Sequence, residues 1–128
     1  MVLVDTSVWI GFLANRTPYA AQLDDVLGRD EVLGHELVYG ELLIGDRSSR
    51  SKLLAQYEHI QQANTVPHHS VVAFVKDRKL NGRGIGWIDV HLLASTLVMR
   101  CQLWTADQKL SSVAKELGVD FRDFGERA

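Results

Sequence analysis

The sequence predicts an α/β protein built on a short parallel sheet with helices on both faces, and three observations carry that prediction. Short apolar runs of strand length alternate along the chain with longer stretches of helical period. The first run, Val2-Leu3-Val4, is unbroken rather than alternating, as expected of a central strand covered on both sides. Two runs also end alike: Val2-Leu3-Val4 gives onto Asp5, and Leu103-Trp104-Thr105 onto Asp107, each before a helical stretch. Ligands of open α/β sheets gather beyond the carboxyl ends of the strands, so these two aspartates mark the edge where function is expected.

The elements follow in order. After Asp5, with Thr6 or Ser7 as the expected helix cap, Val8, Trp9, Phe12 and Leu13 recur at helical spacing until Asn15-Arg16-Thr17-Pro18 breaks the pattern. Tyr19 to Arg29 reads as a second helix, with Leu23, Val26 and Leu27 on one face and Gly28 near its end. A brief strand around Val32 and Leu33 precedes a helix from Glu36 to Gly45. The polar loop Asp46-Arg47-Ser48-Ser49 leads to a helix from about Ser51 to Gln62, and Thr65-Val66 suggests a minor strand stopped by Pro67. His69 to Leu80 is helical, and three glycines in Asn81-Gly82-Arg83-Gly84-Ile85-Gly86 then interrupt it. Trp87 to Met99 is the most apolar helix, Gln102 to Thr105 a strand, Gln108 to Leu117 a helix and Gly118 to Phe121 a last short strand.

Composition narrows the class. The 128 residues fit one domain, 1–128, large enough to bury a core without staples. Hydrophobic and charged shares of 46% and 23% are those of an ordinary globular chain. No apolar run approaches the roughly 18 residues of a membrane span, and no leader pattern precedes the first strand, so the expected location is cytoplasmic. One cysteine, Cys101, forbids an internal disulfide and a multi-cysteine metal site. A net charge of -2 supplies no overall basic field, so any contact with nucleic acid must be local.

Two more carboxylates occupy positions that helices usually keep apolar. Glu41 has Leu37, Val38, Ile44 and Gly45 three and four positions away, and Asp89 has Ile85, Gly86, Leu92 and Leu93. Burying an unpaired carboxylate is costly enough that it takes up a proton or finds a cation. Singly, Asp5 and Asp107 read as helix caps, and Glu41 or Asp89 as a partner of Arg16, Arg50 or Arg83. Together, four acids near one sheet edge would repel, and a hard divalent ion relieves that repulsion. Mg²⁺ or Mn²⁺ suits such oxygen ligands and can acidify a water for attack on a phosphodiester.

Rival chemistry finds no support. The five histidines contain no pair at the i, i+4 spacing of a zinc hydrolase, and the glycine loop lacks the Lys-Ser/Thr ending of a P-loop. No serine or cysteine stands in a nucleophile elbow. Cations for a phosphodiester backbone are nearest at Lys76, Arg78, Lys79 and Arg83, of which Lys79 and Arg83 lie closest to Asp89 in the chain.

These motifs resemble those of the PIN-domain ribonucleases, most closely the VapC toxins of type II toxin-antitoxin pairs. The resemblance rests on Val2-Leu3-Val4-Asp5-Thr6-Ser7-Val8-Trp9-Ile10, on Glu41-Leu42-Leu43-Ile44-Gly45, on Gly84-Ile85-Gly86-Trp87-Ile88-Asp89, and on Leu103-Trp104-Thr105-Ala106-Asp107, in that order. It implies an α/β/α three-layer sandwich around a short parallel sheet. It also implies that Asp5, Glu41, Asp89 and Asp107 surround one or two Mg²⁺ or Mn²⁺ ions in an endoribonuclease. A homodimer inhibited by a cognate VapB-like antitoxin is implied too, with Trp9, Phe12 and Leu13 as candidate contacts if that helix face is not simply core. The chain departs from the family at Gly40, where alanine is common, and at Trp87, where a small or polar residue is usual. Two other readings remain at this point: a haloacid-dehalogenase-like phosphatase, which needs a second aspartate where this chain has Ser7, and a non-enzymatic metal- or partner-binding α/β domain.

Overall fold

The structure, a computed structural model, describes residues 1–45 and 51–122. Strands β1 (Val2–Val4), β2 (Val32–Leu33) and β3 (Gln102–Trp104) form one parallel sheet in the order β2-β1-β3, so the N-terminal strand is central. Val2 and Leu3 stand opposite Val32 and Leu33 on one side, and Val2, Leu3 and Val4 opposite Gln102, Leu103 and Trp104 on the other. Leu3 and Val4 have no exposed surface, which accounts for the unbroken apolar run. Each such side chain contributes about 1.5 to 3 kcal/mol on burial.

Seven helices are described: α1 (Thr6–Leu13), α2 (Tyr19–Gly28), α3 (Glu36–Ile44), α4 (Ser51–Tyr57), α5 (His68–Arg78), α6 (Trp87–Met99) and α7 (Gln108–Glu116). Parallel strands require crossovers, and the helices between them supply these. α1 packs on α2 and α3, α5 packs on α6, and α6 lies against β3. The core runs through both layers, from Trp9 and Leu23 to Leu92, Leu93 and Leu110.

Several expected boundaries shift for local reasons. The first helix starts at Thr6, with Asp5 rather than Thr6 or Ser7 at the cap position, because both hydroxyls are drawn to carboxylates. Thr65 and Val66 form no strand; the pairing near them is a single bridge between Gly34 and Gln62. The final strand reduces to one bridge, Leu103 with Asp120. The helices expected to reach Gln62 and Leu80 end at Tyr57 and Arg78, the latter followed by Lys79 in the left-handed region at φ 55°. The loop expected at 46–49 lies outside the described residues. Trp9 is buried, edge-on to Phe12 and Tyr57, so it is core and offers no surface to a partner.

One histidine has a clear structural role. His35 is fully buried at the N-terminus of α3, where its Nδ1 accepts the Leu37 N–H at 3.1 Å. Its Nε2 lies 3.1 Å from Ser95 Oγ, which donates to the Asn64 carbonyl at 2.8 Å. With Nδ1 an acceptor, the ring is neutral and carries its proton on Nε2. Burial, the largest influence, holds its pKa below the ordinary value. The ring thereby ties α3 to α6.

Candidate active site

The sheet brings Asp5 and Asp107 together as adjacent strand ends. β1 and β3 are hydrogen-bonded neighbours, and the ladder continues past them with Asp5 N–H donating to the Trp104 carbonyl at 2.9 Å. Asp5 is only 5% exposed. Although it occupies the cap position of α1, its side chain caps nothing. Its Oδ2 instead accepts hydroxyl hydrogen bonds from Ser7 at 2.6 Å and Thr105 at 2.5 Å. Ser7 Oγ also accepts the Ala106 N–H at 2.9 Å, and Thr105 Oγ1 the Asp107 N–H at 3.0 Å. A buried carboxylate is thus held in one orientation by two hydroxyls, each fixed by a backbone amide of the other strand's turn.

The other three acids come from separate elements. Asp107 Oδ1 accepts the Leu110 N–H at 2.9 Å, so the cap role expected for a lone aspartate is real. Asp89 sits in the first turn of α6, where its Oδ2 accepts the Gly86 N–H at 2.8 Å. Glu41, on α3, accepts a hydrogen bond from Thr6 Oγ1 at 2.6 Å. Glu41 is exposed; of the neighbours that suggested an apolar surround, Val38 is core while Ile44 is 89% exposed, so this acid stands at the edge of the core and not within it. Asp89 is half-buried, as its neighbours suggested.

Electrostatics link the four. The Asp89 carboxyl is held above the usual carboxylate range, first by burial and then by the negative charges of Asp5, Asp107 and Glu41, against the opposing pull of the Gly86 N–H. Among the described residues, none of the four forms an ion pair, so the pairing of Glu41 or Asp89 with Arg16 or Arg83 is not seen; Arg50 lies outside the described residues. Each carboxylate commits one oxygen to a protein donor, and the second oxygen makes no hydrogen bond among the described residues. As the side chains stand, no three acid, histidine or cysteine groups among the described residues are close enough to share one ion. The donor set itself is all hard oxygen, the chemistry of Mg²⁺ or Mn²⁺ rather than of zinc or copper.

A cleft of about 430 Å³ opens beside Glu41, between α3 and the start of α6, lined by Leu37, Gly40, Ile44 and Ile88. A second cavity, bounded by Met1, Val2, Cys101 and Gln102, lies at the opposite edge of the sheet. Lys79 is exposed just past α5. Arg83 holds Glu116 of α7 through two hydrogen bonds, one of 3.1 Å from Nη1. Gly82 and Gly84 adopt φ of 76° and 80°, a region that disfavours side chains. A Cβ on Gly84 would also meet the Lys109 side chain at 2.8 Å.

The orienting hydroxyls of Thr6, Ser7 and Thr105 were not assigned that work by sequence reasoning. The available signal was the recurrence of hydroxyl residues beside both strand-end acids. The approach of the Lys109 side chain to Gly84 is without a sequence signal, since no pattern says that α7 comes beside the glycine loop.

Fold and site together define a small parallel α/β protein in which the charges of Asp5, Glu41 and Asp107 act on Asp89. The PIN domain family profile matches residues 2–116, and the chain belongs to that family. Two curated relatives, both Ribonuclease VapC32 from strains of Mycobacterium tuberculosis (CDC 1551 / Oshkosh and ATCC 25618 / H37Rv), are each 41% identical over 120 residues, 93% of this chain and 94% of the relative. The crystal structure of PAE2754 from Pyrobaculum aerophilum matches with a TM-score of 0.57 at 18% identity, over 87% of this chain and 82% of that one, a likeness of fold. Family and sandwich architecture are therefore as the sequence motifs implied. Among the described residues, no helix is long and apolar enough to cross a membrane.

Proposed function

We propose that the protein is a metal-dependent endoribonuclease acting as the toxin of a VapBC-type toxin-antitoxin pair. The observation that carries this reading is electrostatic: Asp5, Asp107 and Glu41, from three other parts of the chain and none ion-paired among the described residues, act together on the half-buried Asp89 in a chain 41% identical to a ribonuclease. Asp5, Asp89 and Asp107 would hold Mg²⁺ or Mn²⁺, with Glu41 completing the set or positioning a water. When bound, such an ion neutralises the cluster, orients the phosphodiester and lowers the pKa of a water for hydrolysis.

The chain's own part is positioning. Ser7 and Thr105 fix the buried Asp5, Gly86 N–H fixes Asp89, and Thr6 fixes Glu41. Rigid first-contact groups held by such secondary hydrogen bonds are what metal sites require. Lys79 and Arg83 are the proposed phosphate contacts, Arg83 after leaving or sharing Glu116. The partners are RNA, a second copy of the chain and a VapB-like antitoxin; the cytoplasm is the proposed location.

A haloacid-dehalogenase-like phosphatase is disfavoured by Ser7, which stands where that chemistry needs an aspartate and is engaged with Asp5 and Ala106. The test is direct. Purified protein incubated with total RNA should degrade it with Mg²⁺ or Mn²⁺ and spare it with chelator. Intact RNA under both conditions would leave only a binding domain.

A further inference from the structure

We propose that the cleft between α5 and α6, walled by Trp87, holds an unpaired base of the bound RNA strand away from the cleavage site; this rests on the ribonuclease reading above. Trp87 opens α6, two residues before Asp89, and is 45% exposed. The buried face of that helix is supplied by Val90, Leu92, Leu93 and Ala94, so the indole is not needed to close the core. Its ring is nevertheless held in place: His68 lies at 5.2 Å between ring centroids, and His91 packs edge-on at 5.0 Å and 87°. An exposed, oriented indole is a stacking surface, and every base presents a face to stack.

The space beside it suits a nucleotide. The cleft has a volume of about 500 Å³ and is lined by Val72, Val75, Lys76, Asn81 and Trp87. Its walls are largely apolar, with one ammonium for a phosphate and one amide for a base edge. Charge favours a polyanion over a second protein surface: Lys76 lines the cleft, Arg78 and Lys79 follow it exposed against one exposed acid, Asp77, and the three cations form no ion pair among the described residues. Two helical positions separate Trp87 from Asp89 by about 200° around the axis. The cleft therefore lies on the far side of α6 from Asp89, and the base it holds belongs to a nucleotide removed from the cleaved linkage rather than at it.

Stacking in this cleft binds ground and transition states alike, so its loss appears in KM more than in kcat. On the RNA the protein cleaves, Trp87→Ala should raise KM roughly 10-fold with kcat changed much less, and Trp87→Phe should recover most of the loss. Trp9 and Trp104 are only 2% and 6% exposed, so quenching of indole fluorescence by a short oligoadenylate should come from Trp87 and vanish in Trp87→Phe. An unchanged KM in Trp87→Ala, or quenching that survives in Trp87→Phe, overturns the subsite while leaving the nuclease intact. A change of sedimentation or a loss of antitoxin binding at unaltered KM assigns the cleft to a protein interface and also overturns it. Failure of wild-type protein to cleave any RNA with Mg²⁺ or Mn²⁺ removes the ribonuclease reading itself, which is a distinguishable result.

Discussion

Asp89→Asn is predicted to stabilise the metal-free protein while abolishing RNA cleavage. Its carboxyl is held above the usual range by burial first, and by Asp5, Asp107 and Glu41 next, with only the Gly86 N–H opposing. Asparagine has nearly the same shape and keeps an oxygen for that N–H, but carries no charge. A raised carboxylate pKa means that the folded state binds the proton more tightly than the unfolded chain. The destabilisation is therefore complete above the folded pKa and disappears as pH falls below the unfolded value of about 3.9. Because the group is only half-buried, solvent screening reduces the gain at neutral pH to the order of 1 kcal/mol. For a chain of this length that is about 3 to 6 °C in Tm. Melts in chelator at pH 7 and in the acid range should show the variant ahead at neutral pH and the two curves converging in acid. Cleavage should fall at least about 100-fold with metal present. A large loss of stability at pH 7 would show that Asp89 is a structural partner, and the electrostatic reasoning would fail.

Other expectations follow from the same geometry. Thr105→Val removes the donor to Asp5 and the acceptor of the Asp107 N–H, so metal affinity by calorimetry should fall about 10- to 100-fold; unchanged affinity would make the hydroxyl incidental. His35 is held neutral by burial, so the unfolded chain takes up the proton first, and stability should be full above about pH 6.5 and decline below it. His35→Phe should flatten that decline, at a cost of about 2 to 3 kcal/mol for the unpaired Leu37 N–H and the lost Ser95 contact; denaturant melts across pH check both, with His91 leaving a residual slope of the same sign. Lys79→Ala and Arg83→Ala should each lower the slope of log binding constant against log salt by roughly 0.7. An unchanged slope for Arg83→Ala would confine that guanidinium to Glu116.

The sequence was most informative where a single local signal decides the structure. An unbroken Val2-Leu3-Val4 has no exposed face to serve, so it had to be central, and β1 lies between β2 and β3. Matching endings at Asp5 and Asp107 implied that the acids would meet if their strands paired, and strand order alone settled that. Helical spacing could not give depth. Glu41 and Asp89 show the same apolar neighbours in sequence, yet Glu41 is exposed and Asp89 half-buried, because exposure depends on which helix packs above. Short edge pairing was equally hidden: one bridge at Gln62 and one at Asp120 require three-dimensional approach rather than a run of strand-forming residues. Thr6 and Ser7 looked like caps because hydroxyls at a helix start usually are, and the nearby carboxylates outcompeted the backbone for both.

The central claim is that four acids from four elements form one cation site. Titration of Mn²⁺ into wild-type protein and into Asp5→Asn, Glu41→Gln, Asp89→Asn and Asp107→Asn tests it most directly, with melting curves to confirm folding. Asparagine remains a good helix cap, so Asp107→Asn separates metal binding from capping of α7. Weaker Mn²⁺ binding in every variant, with the folded state retained, is the result expected. Wild-type affinity in the Asp5, Asp89 and Asp107 variants would contradict a shared site.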